Sequence, residues 1–353
     1  MNNQFRFVQT PKISKSHIGY KTNRWKTFFK SPYNIILFAT LILFLTLGII
    51  ALFLENEPFK NQKTLRLDEN ILPLGQNTLK TIKYGGAKEE NQITLEIFAN
   101  LQKYNVPYEI KETIFGQNLV FSQSDYIKAL YGNHVFLFGT DSFGKDVFVD
   151  SLQQFIISVG ISAGIFSVEL IFGLYIGIYL AWKTQNPFTK ISLKMMNVLL
   201  AIPDIIMMIV VVVFIRNIYF IYIFVFLTGL IRMIYWAYQY SLQELNSNFI
   251  DALWSQNVSL HRIIYKHITF RILGRILILF IRRIGYIIFL IATLDFIGVP
   301  ISYNVAITLK NNWVDRDLNP AKIIFPTLFL FVFLVDLQFL AIRIAKVLDN
   351  FKQ

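Results

Sequence analysis

The 353-residue sequence is 54% hydrophobic and 16% aromatic, has a formal net charge of +12 at pH 7 and contains no cysteine. An apolar share of about 45–50% is usual for a soluble globular domain, so this composition excludes an ordinary soluble protein. The absence of cysteine excludes a disulfide framework and a thiolate metal site.

Six apolar stretches predict membrane-spanning helices. About 20 apolar residues cross the hydrocarbon core of a bilayer, and each crossing must be helical because lipid offers no partner to an unpaired backbone group. The predicted spans are residues 34–54, 155–182, 195–215, 218–240, 276–297 and 323–344. The predicted fold class is therefore an all-α polytopic membrane protein with six transmembrane helices.

Basic residues are distributed unevenly around these spans. Residues 1–54 contain seven Lys or Arg and no acidic residue, and further basic residues follow the second, fourth and sixth spans. The short loops on the other side carry only Arg216, Lys310, Arg316 and Lys322. Because cytoplasmic loops are enriched in Lys and Arg, we predict a multi-pass plasma-membrane protein with both termini in the cytoplasm. A nucleic-acid partner is not expected from this distribution.

The chain begins with a predicted basic cytoplasmic segment, residues 1–33, followed by the first transmembrane helix, residues 34–54. The apolar core of that helix is too long for a secretion signal, and no small-x-small cleavage site follows it. We therefore expect a retained anchor. The remaining transmembrane part is predicted to extend over residues 139–349, with five helices.

Residues 55–138 form the one sizeable aqueous segment, expected on the outer face. They hold nine Lys or Arg and ten Asp or Glu. The pattern predicts a helix over 91–104, a strand in YEIKETIF, a turn at 116–118 and a returning strand in LVF. This indicates a small extracellular α/β insertion. A contact surface for a binding protein and an insertion without a direct role are equally acceptable interpretations.

The sequence FGTDSFGKDVF, residues 138–148, precedes the second span. Gly139 and Gly144 permit tight turns, and Asp141 and Asp146 can cap helix N-termini or accept backbone N–H groups. The glycines lack the Lys-Ser/Thr ending of a phosphate-binding loop. By itself the segment predicts turns and helix capping.

The second and third spans contain small residues and a proline. Gly160 and Gly164, and again Gly173 and Gly177, are four residues apart, a spacing that lets neighbouring helix backbones approach closely. Pro203 lies within the predicted third span, where a membrane helix tolerates proline and can kink.

Residues 249–270, between the fourth and fifth spans, are polar and amphipathic. As one helix they would bury apolar residues and expose their charges to water, which is typical of a segment that docks a partner on one side of the membrane. His261 and His267 are six residues apart and do not share a helical face, so no metal site is expected. The residues predicted to be buried are Ile250, Leu253, Val258, Leu260 and Ile264.

Charged residues also occur inside predicted spans. A charge at such depth costs about 2.5–3.5 kcal/mol on insertion scales, so it should face the bundle interior with a partner or water. We hypothesise that Glu169 and Asp336 neutralise two of the three arginines, while the third lines a path through the interior of the bundle. The alternative is internal ion pairing with snorkelling of arginine toward the cytoplasm. The residues are Glu169, Arg232, Arg282, Arg283 and Asp336.

Taken together, these features resemble the membrane subunits of type I ABC importers, specifically the C-type permease of the dipeptide, oligopeptide and nickel group. That group carries GTDxxGRDV before its second span, and Lys145 stands here in place of arginine. It also carries EAAxxxG in the cytoplasmic loop between spans four and five, here within 244–271. The residues that match the first motif are Gly139, Thr140, Asp141, Gly144, Asp146 and Val147. In the second motif Ala252 matches, whereas Asp251, Leu253 and Asn257 stand in place of its glutamate, second alanine and glycine, and His261 and Arg262 follow.

The resemblance implies type I importer architecture and a set of partners. These are a second permease, two nucleotide-binding ATPase subunits, an extracellular substrate-binding lipoprotein and membrane lipid. The EAA loop would form a short helix that inserts into a groove of the ATPase. The chain contains no GxxxxGK[ST] sequence, so ATP and Mg²⁺ would bind to the partner ATPases, and no cofactor is expected on this chain.

The function predicted from the sequence is that of a non-enzymatic permease subunit of an ATP-driven importer of peptides, with oligopeptides preferred. Import of nickel or another small solute is the alternative within this class. A membrane-embedded enzyme is disfavoured because HExxH, GxSxG and paired intramembrane aspartates are absent. A non-transporting structural subunit or an exporter is disfavoured by the combination of the GTD segment with the docking segment.

Overall fold

The computed structural model describes residues 26, 28–57, 70–73, 76, 79–84, 92–114, 116–132, 136–215, 217–299, 301, 304–313, 316–317 and 319–349. Predictions for the basic residues of segment 1–25, for Arg216 and for Lys352 lie outside these residues. In chain order the elements are α1 (Pro32–Ala51), β1 (Leu79–Tyr84), α2 (Gln92–Lys103), β2 (Tyr108–Thr113), β3 (Gly116–Ser122), α3 (Gln123–Tyr131), α4 (Val147–Trp182), α5 (Pro187–Ala201), α6 (Asp204–Phe214), α7 (Ile218–Leu245), α8 (Asn248–Ser255), α9 (Leu260–Arg262), α10 (Thr269–Phe296), α11 (Val305–Asn312) and α12 (Ala321–Asp349).

Four of these helices are long and apolar enough to cross a membrane: α1, α4, α7 and the Ala321–Ile344 part of α12. Two bent pairs each supply one more span when their halves are counted together. The first pair is α5 with α6, bent by 85°, and the second joins Leu260–Ile276 to Ile281–Phe296 with a bend of 56°. The prediction of an all-α polytopic membrane fold with a small α/β insertion is confirmed, with four to six candidate spans in the described residues.

The third predicted span, residues 195–215, is broken rather than kinked. Helix α5 ends at Ala201, and Ile202 is extended with φ −86° and ψ 126° before α6 begins at Asp204. Proline disfavours the helical conformation of the residue before it and cannot donate a backbone hydrogen bond. Pro203 therefore ends one helix and starts another, and it brings Asp204 to the first turn of the second.

The packing of α4 against α7 depends on two glycines. A Cβ atom at Gly177 would lie 2.6 Å from the Cβ of Ala237, and one at Gly173 would overlap the side chain of Met233. Gly160 and Gly164 have nothing within 4 Å of the corresponding position. Close approach was predicted for both glycine pairs, but in the described residues only Gly173 and Gly177 make it, because these two lie directly against residues of α7.

The insertion contains a three-stranded antiparallel sheet in the order β1-β3-β2. Helix α2 lies within one residue of the predicted helix at each end. The predicted turn at 116–118 is wrong: these residues belong to β3, and the register pairs Thr113 with Gly116, leaving two residues for the connection. Apolar side chains of α2, β3 and α3, including Leu101 and Phe121, form a core separate from that of the membrane helices.

The main apolar core lies between α4, α6, α7 and α10, and it includes Ile250 and Leu253 of α8. A second core joins α1, α4 and α12 through aromatic rings in edge-to-face contact, with the Phe44 and Phe329 centroids 4.7 Å apart. Large apolar side chains on the outer surface of the span helices, such as Ile36 of α1, remain exposed. This distribution is that of a helical bundle whose outer surface faces lipid.

Candidate functional site

The GTD segment forms a tight junction at one end of the bundle. Gly139 and Gly144 have φ values of +81° and +79°, and a Cβ at Gly139 would overlap the carbonyl oxygen of Ile71. Fully buried Thr140 donates its N–H to that carbonyl at 3.1 Å and accepts the Ile71 N–H on Oγ1 at 2.9 Å. The motif thus holds the end of the insertion against the start of α4.

The two aspartates of this segment bind backbone N–H groups. Asp141 Oδ1 accepts from the N–H groups of Phe143 and Lys145, each at 2.8 Å. Asp146 Oδ1 caps α4 by accepting from the N–H of Phe148 at 2.8 Å. Burial raises the pKa of both carboxyls, although these backbone hydrogen bonds lower it. The arrangement indicates a structural junction rather than a ligand site.

Neighbouring elements are fixed to the same junction. Lys145 Nζ lies 3.4 Å from Glu57 Oε1, and the Asp146 N–H donates to the Asn56 carbonyl at 2.8 Å. Asn319 Nδ2 donates to the Phe138 carbonyl at 3.0 Å. The segment therefore connects the chain after α1, the insertion, α4 and the start of α12.

A charge network occupies the interior of the bundle. Arg283 of α10 binds Glu169 of α4 through two hydrogen bonds, Nη2 to Oε1 at 2.8 Å and Nε to Oε2 at 3.1 Å. Arg232 of α7 donates from Nη2 to Asp204 Oδ1 of α6 at 2.7 Å, and Arg283 Nη1 lies 3.8 Å from Asp204 Oδ2. Two acids and two arginines thus link four helices. A bidentate arginine–carboxylate pair is among the stronger hydrogen-bonded arrangements in proteins.

The network is tightly enclosed. Glu169 and Asp204 side chains are 1% and 2% exposed, and that of Arg283 is 8% exposed. The ring of Tyr286 lies 5.4 Å from the Arg283 guanidinium carbon. A Cβ at Gly229 would overlap Glu169 Oε1, so α7 approaches the ion pair at a residue without a side chain.

The prediction that Asp336 neutralises an arginine is wrong for the described residues. Asp336 accepts a hydrogen bond from Thr40 Oγ1 at 3.0 Å and joins α12 to α1, against which α12 packs. Asp204 provides the second acid instead. Asp204 was not predicted from the sequence. It lies within the predicted span 195–215, so the rule that a charge inside a membrane span needs a partner would have identified it.

Arg282 differs from its neighbour Arg283. Its side chain is exposed, and no ion pair links it to an acid in the described part of the chain. It borders a cavity of about 250 Å³ together with Arg232, Arg283, Glu169, Trp236 and Tyr286. Of the five intramembrane charges selected from the sequence, the structure brings four to this cavity, and Asp336 is not among them.

The predicted docking segment, residues 249–270, is not one continuous helix. Helix α8 ends at Ser255, and Asn257 adopts a left-handed conformation with φ +55°. The N–H groups of Asn257 and Val258 bond the carbonyls of Trp254 and Leu253 at 3.0 and 3.2 Å, which closes the end of α8. The chain then turns into α9 and a π-helical stretch, Ile263–Ile268, that leads into α10.

The apolar side of this segment belongs to the main core of the chain itself. Ile250, Leu253 and Ile264 are buried there, while Val258 and Leu260 are half-buried against it. The predicted burial of these apolar residues is confirmed. They pack against the chain's own membrane helices, because the hairpin formed by α8 and α9 folds back onto the ends of those helices. The exposed side carries charged and polar residues together with the ring of Trp254. It includes Asp251, Ala252, Asn257, His261 and Arg262.

Glu244, at the end of α7, holds the hairpin in place. Its carboxylate is 2.6 Å from Arg271 Nε and 2.9 Å from Arg275 Nη2. The Arg271 guanidinium also lies 4.6 Å from the ring centroid of Phe249. Sequence reasoning did not single out Glu244, since partners 27 and 31 residues away give no local signal.

Asn257 gives a testable consequence of this geometry. Replacing Asn257 with glycine should preserve stability, because glycine adopts φ > 0 without strain. Replacing it with valine should destabilise the hairpin by about 1–2 kcal/mol, the cost of a left-handed conformation for a residue with a Cβ. Thermal unfolding of the detergent-purified protein measures both, with Ser255→Val, at an exposed right-handed position, as the control. Equal stability of Asn257→Gly and Asn257→Val would contradict the expectation.

Comparison with known proteins bears on the part of the chain that contains the network and the hairpin. A family model described as "Binding-protein-dependent transport system inner membrane component" matches residues 173–350, half of the chain. The chain belongs to this family. The resemblance to ABC importer permeases drawn from the sequence is thereby confirmed, and so is the assignment as a multi-pass membrane protein.

One curated relative adds a finer likeness. This permease is 26% identical over 163 residues to the oligopeptide transport system permease protein OppC of Bacillus subtilis (strain 168). The match covers 46% of this chain and about half, 53%, of that relative. The family match begins at Gly173 and includes Asp204, the hairpin and α10, whereas residues 139–146 of the junction lie before it.

Proposed function

We propose that this chain is the membrane-spanning permease subunit of an ATP-driven importer that moves peptides, oligopeptides foremost, into the cytoplasm. The observation that carries the proposal is the hairpin of α8 and α9, which is fixed by its buried apolar residues and by Glu244 and leaves Asp251, Trp254 and Asn257 exposed. A rigidly held, exposed element at a membrane surface is suited to receive force from a partner.

The two motifs lie at opposite ends of the bundle. Helix α4 begins at the GTD junction and has 36 residues, which corresponds to about 54 Å at 1.5 Å per residue. At its far end Trp182 packs against Trp254 of the hairpin with ring centroids 6.2 Å apart. We infer that the hairpin, within 244–271, faces the cytoplasm with both termini, and that the insertion, within 55–138, faces outward.

The proposed assembly contains a second permease, two ATPase subunits and an extracellular substrate-binding protein. Asp251, Ala252, Asn257, His261 and Arg262 would contact an ATPase, which would bind ATP and Mg²⁺. In this proposal the hairpin moves with the ends of α4, α7 and α10, because its apolar residues share their core. Movement of the hairpin on closure of the ATPases would thereby be transmitted along these helices to the charge network in the interior.

The cavity beside the charge network favours peptides rather than nickel as the substrate. Its exposed charges are those of Arg232 and Arg282, while the acids beside them are buried. In the described residues no group of three or more His, Asp or Glu is arranged to hold a metal ion. A positively charged wall repels a divalent cation and attracts a carboxylate, and the name of the curated relative points to the same substrate class.

Site-directed crosslinking tests the proposed coupling. The chain contains no cysteine, so Asp251→Cys and Asn257→Cys each create a unique thiol. In the assembled transporter both are expected to crosslink to an ATPase subunit, with a yield that changes between ATP-bound and nucleotide-free states.

Ile114→Cys in the insertion, where the native side chain is 98% exposed, is the matched control. It should give no crosslink to an ATPase and should react with an impermeant thiol reagent in intact cells, whereas Asp251→Cys should react only after permeabilisation. Crosslinking from Ile114→Cys, or none from either hairpin position in a correctly assembled complex, would overturn the proposal.

A further inference from the structure

The cavity beside the charge network has an uneven arrangement of charge. It lies between α4, α7 and α10 and holds about 250 Å³. Five charged groups face this region from the surrounding helices: Glu169, Asp204, Arg232, Arg282 and Arg283. With two acids and three arginines, the described groups carry one positive charge in excess.

The acids at the cavity are less accessible than two of the arginines. Asp204 does not line the cavity, and Glu169, which does, has a side chain that is 1% exposed. Glu169 and Asp204 are almost fully buried and are bound by Arg283 and Arg232, respectively. The Arg232 side chain is 36% exposed even though it binds Asp204, and Arg282 is exposed without an acid partner in the described residues. The exposed charged groups at the cavity are therefore guanidinium groups, and the carboxylates are buried.

Two arginine nitrogens at the charge network make no hydrogen bond in the described residues. Arg232 Nε is buried and has no hydrogen-bond partner among the described residues, and neither does Arg283 Nη1, which reaches Asp204 only at 3.8 Å. An unneutralised arginine within the membrane region is costly. A bound anion would therefore lower the free energy of the cavity as it stands.

Aromatic side chains complete the wall. Trp236, which is 39% exposed, and Tyr286 border the same space as Arg282. Guanidinium groups bind carboxylates in a planar, bidentate manner, and aromatic surfaces accept apolar groups. The combination is suited to a ligand with one carboxylate next to an apolar side chain.

We propose that this cavity is a carboxylate subsite that binds the C-terminal end of a peptide, with Arg282 as its principal contact and Arg232 as a second donor. The inference rests on the proposed import function for its biological meaning. The binding chemistry itself depends only on the described arginines and the aromatic wall.

Thiol labelling measures the electrostatics of the site directly. Leu279→Cys introduces a single thiol at the cavity wall. In membranes that contain the assembled transporter, an anionic methanethiosulfonate should label it faster than a cationic one, by about tenfold relative to the exposed control Ile114→Cys. Absence of this preference, or of any reaction at Leu279→Cys, would overturn the proposal.

Arginine variants identify the source of the preference. Adding Arg282→Gln to Leu279→Cys should abolish the anionic preference, and adding Arg282→Lys should retain most of it because the charge remains. Arg343→Gln is the matched control, since Arg343 lies in α12 beside Tyr33 and does not border the cavity. A preference that survives Arg282→Gln would contradict the assignment to this residue.

Two further measurements separate the subsite from the proposed function. N-acetylphenylalanine should protect Leu279→Cys from labelling, whereas its amide should not; equal effects of the two would overturn the subsite.

In uptake assays, the preference for a free-acid tripeptide over its C-terminal amide should fall several-fold in Arg282→Gln with the same binding protein. Peptide uptake with an unchanged preference would refute the subsite alone, whereas acid-specific protection without any peptide uptake would refute the proposed function alone.

Discussion

Arg283→Gln is expected to destabilise the protein by about 3–5 kcal/mol, the usual cost of removing one partner from a buried ion pair. The substitution leaves the carboxylate of Glu169, which is 1% exposed, without its two charge-assisted hydrogen bonds. It also removes the donor that reaches the Val225 carbonyl at 3.1 Å. Thermal or denaturant unfolding of the purified subunit in detergent measures the loss.

The double variant Glu169→Gln with Arg283→Gln should be much less destabilised than either single variant, because no buried charge is then left alone. Arg316→Gln serves as a surface control. Arg316 lies 3.7 Å from Asp317, both side chains are largely exposed, and its loss should cost less than about 1 kcal/mol. If Arg283→Gln and Arg316→Gln had similar effects, the bidentate pair would not be the central link of the interior network.

The second large effect is expected at the contact of α4 with α7. Gly177→Ala places a methyl group where the Cβ of Ala237 and the carbonyl oxygen of Ile234 already lie, each 2.6 Å away. The helices must separate or shift, and overpacking of this kind typically costs about 1–3 kcal/mol. A lower melting temperature of the detergent-purified subunit is the expected result.

Gly160→Ala is the matched control on the same helix. Nothing lies within 4 Å of the added methyl group, and alanine favours a helix over glycine by up to about 1 kcal/mol. The variant should therefore be neutral or slightly stabilised when the isolated subunit is measured. A destabilisation equal to that of Gly177→Ala would show that the position along α4 does not decide the effect.

Much of the candidate site is recognisable from local sequence patterns. The turn glycines and capping aspartates of the GTD segment behave as their chemistry predicts, because φ > 0 at Gly139 and N-capping by Asp146 depend on a few neighbouring residues. The conformation of Asn257 is a further feature that depends on local chemistry. Asn257 occupies the position of the glycine in the EAAxxxG motif, and it adopts the left-handed conformation that asparagine tolerates better than most residues with a Cβ.

The partners in the ion pairs were harder to predict from the sequence. Glu169 and Arg283 are 114 residues apart, so no periodicity connects them. The rule that charges in membrane spans need partners predicted that such pairs exist, and it selected Glu169 and all three arginines. It could not choose between Asp336 and Asp204, since that choice depends on which sides of α12 and α6 face the interior.

The sequence by itself determined the membrane class, the approximate positions of the spans, the family and the presence of an amphipathic segment between the fourth and fifth spans. These properties follow from composition and from patterns within about 20 residues. Only the tertiary structure decided that Asp204 pairs with Arg232, that Gly173 and Gly177 carry the α4–α7 contact, and that the apolar side of the hairpin is buried within the chain. Helix packing sets these outcomes because the rotation of each helix about its axis is fixed by neighbours distant in sequence, and a local pattern does not contain that information.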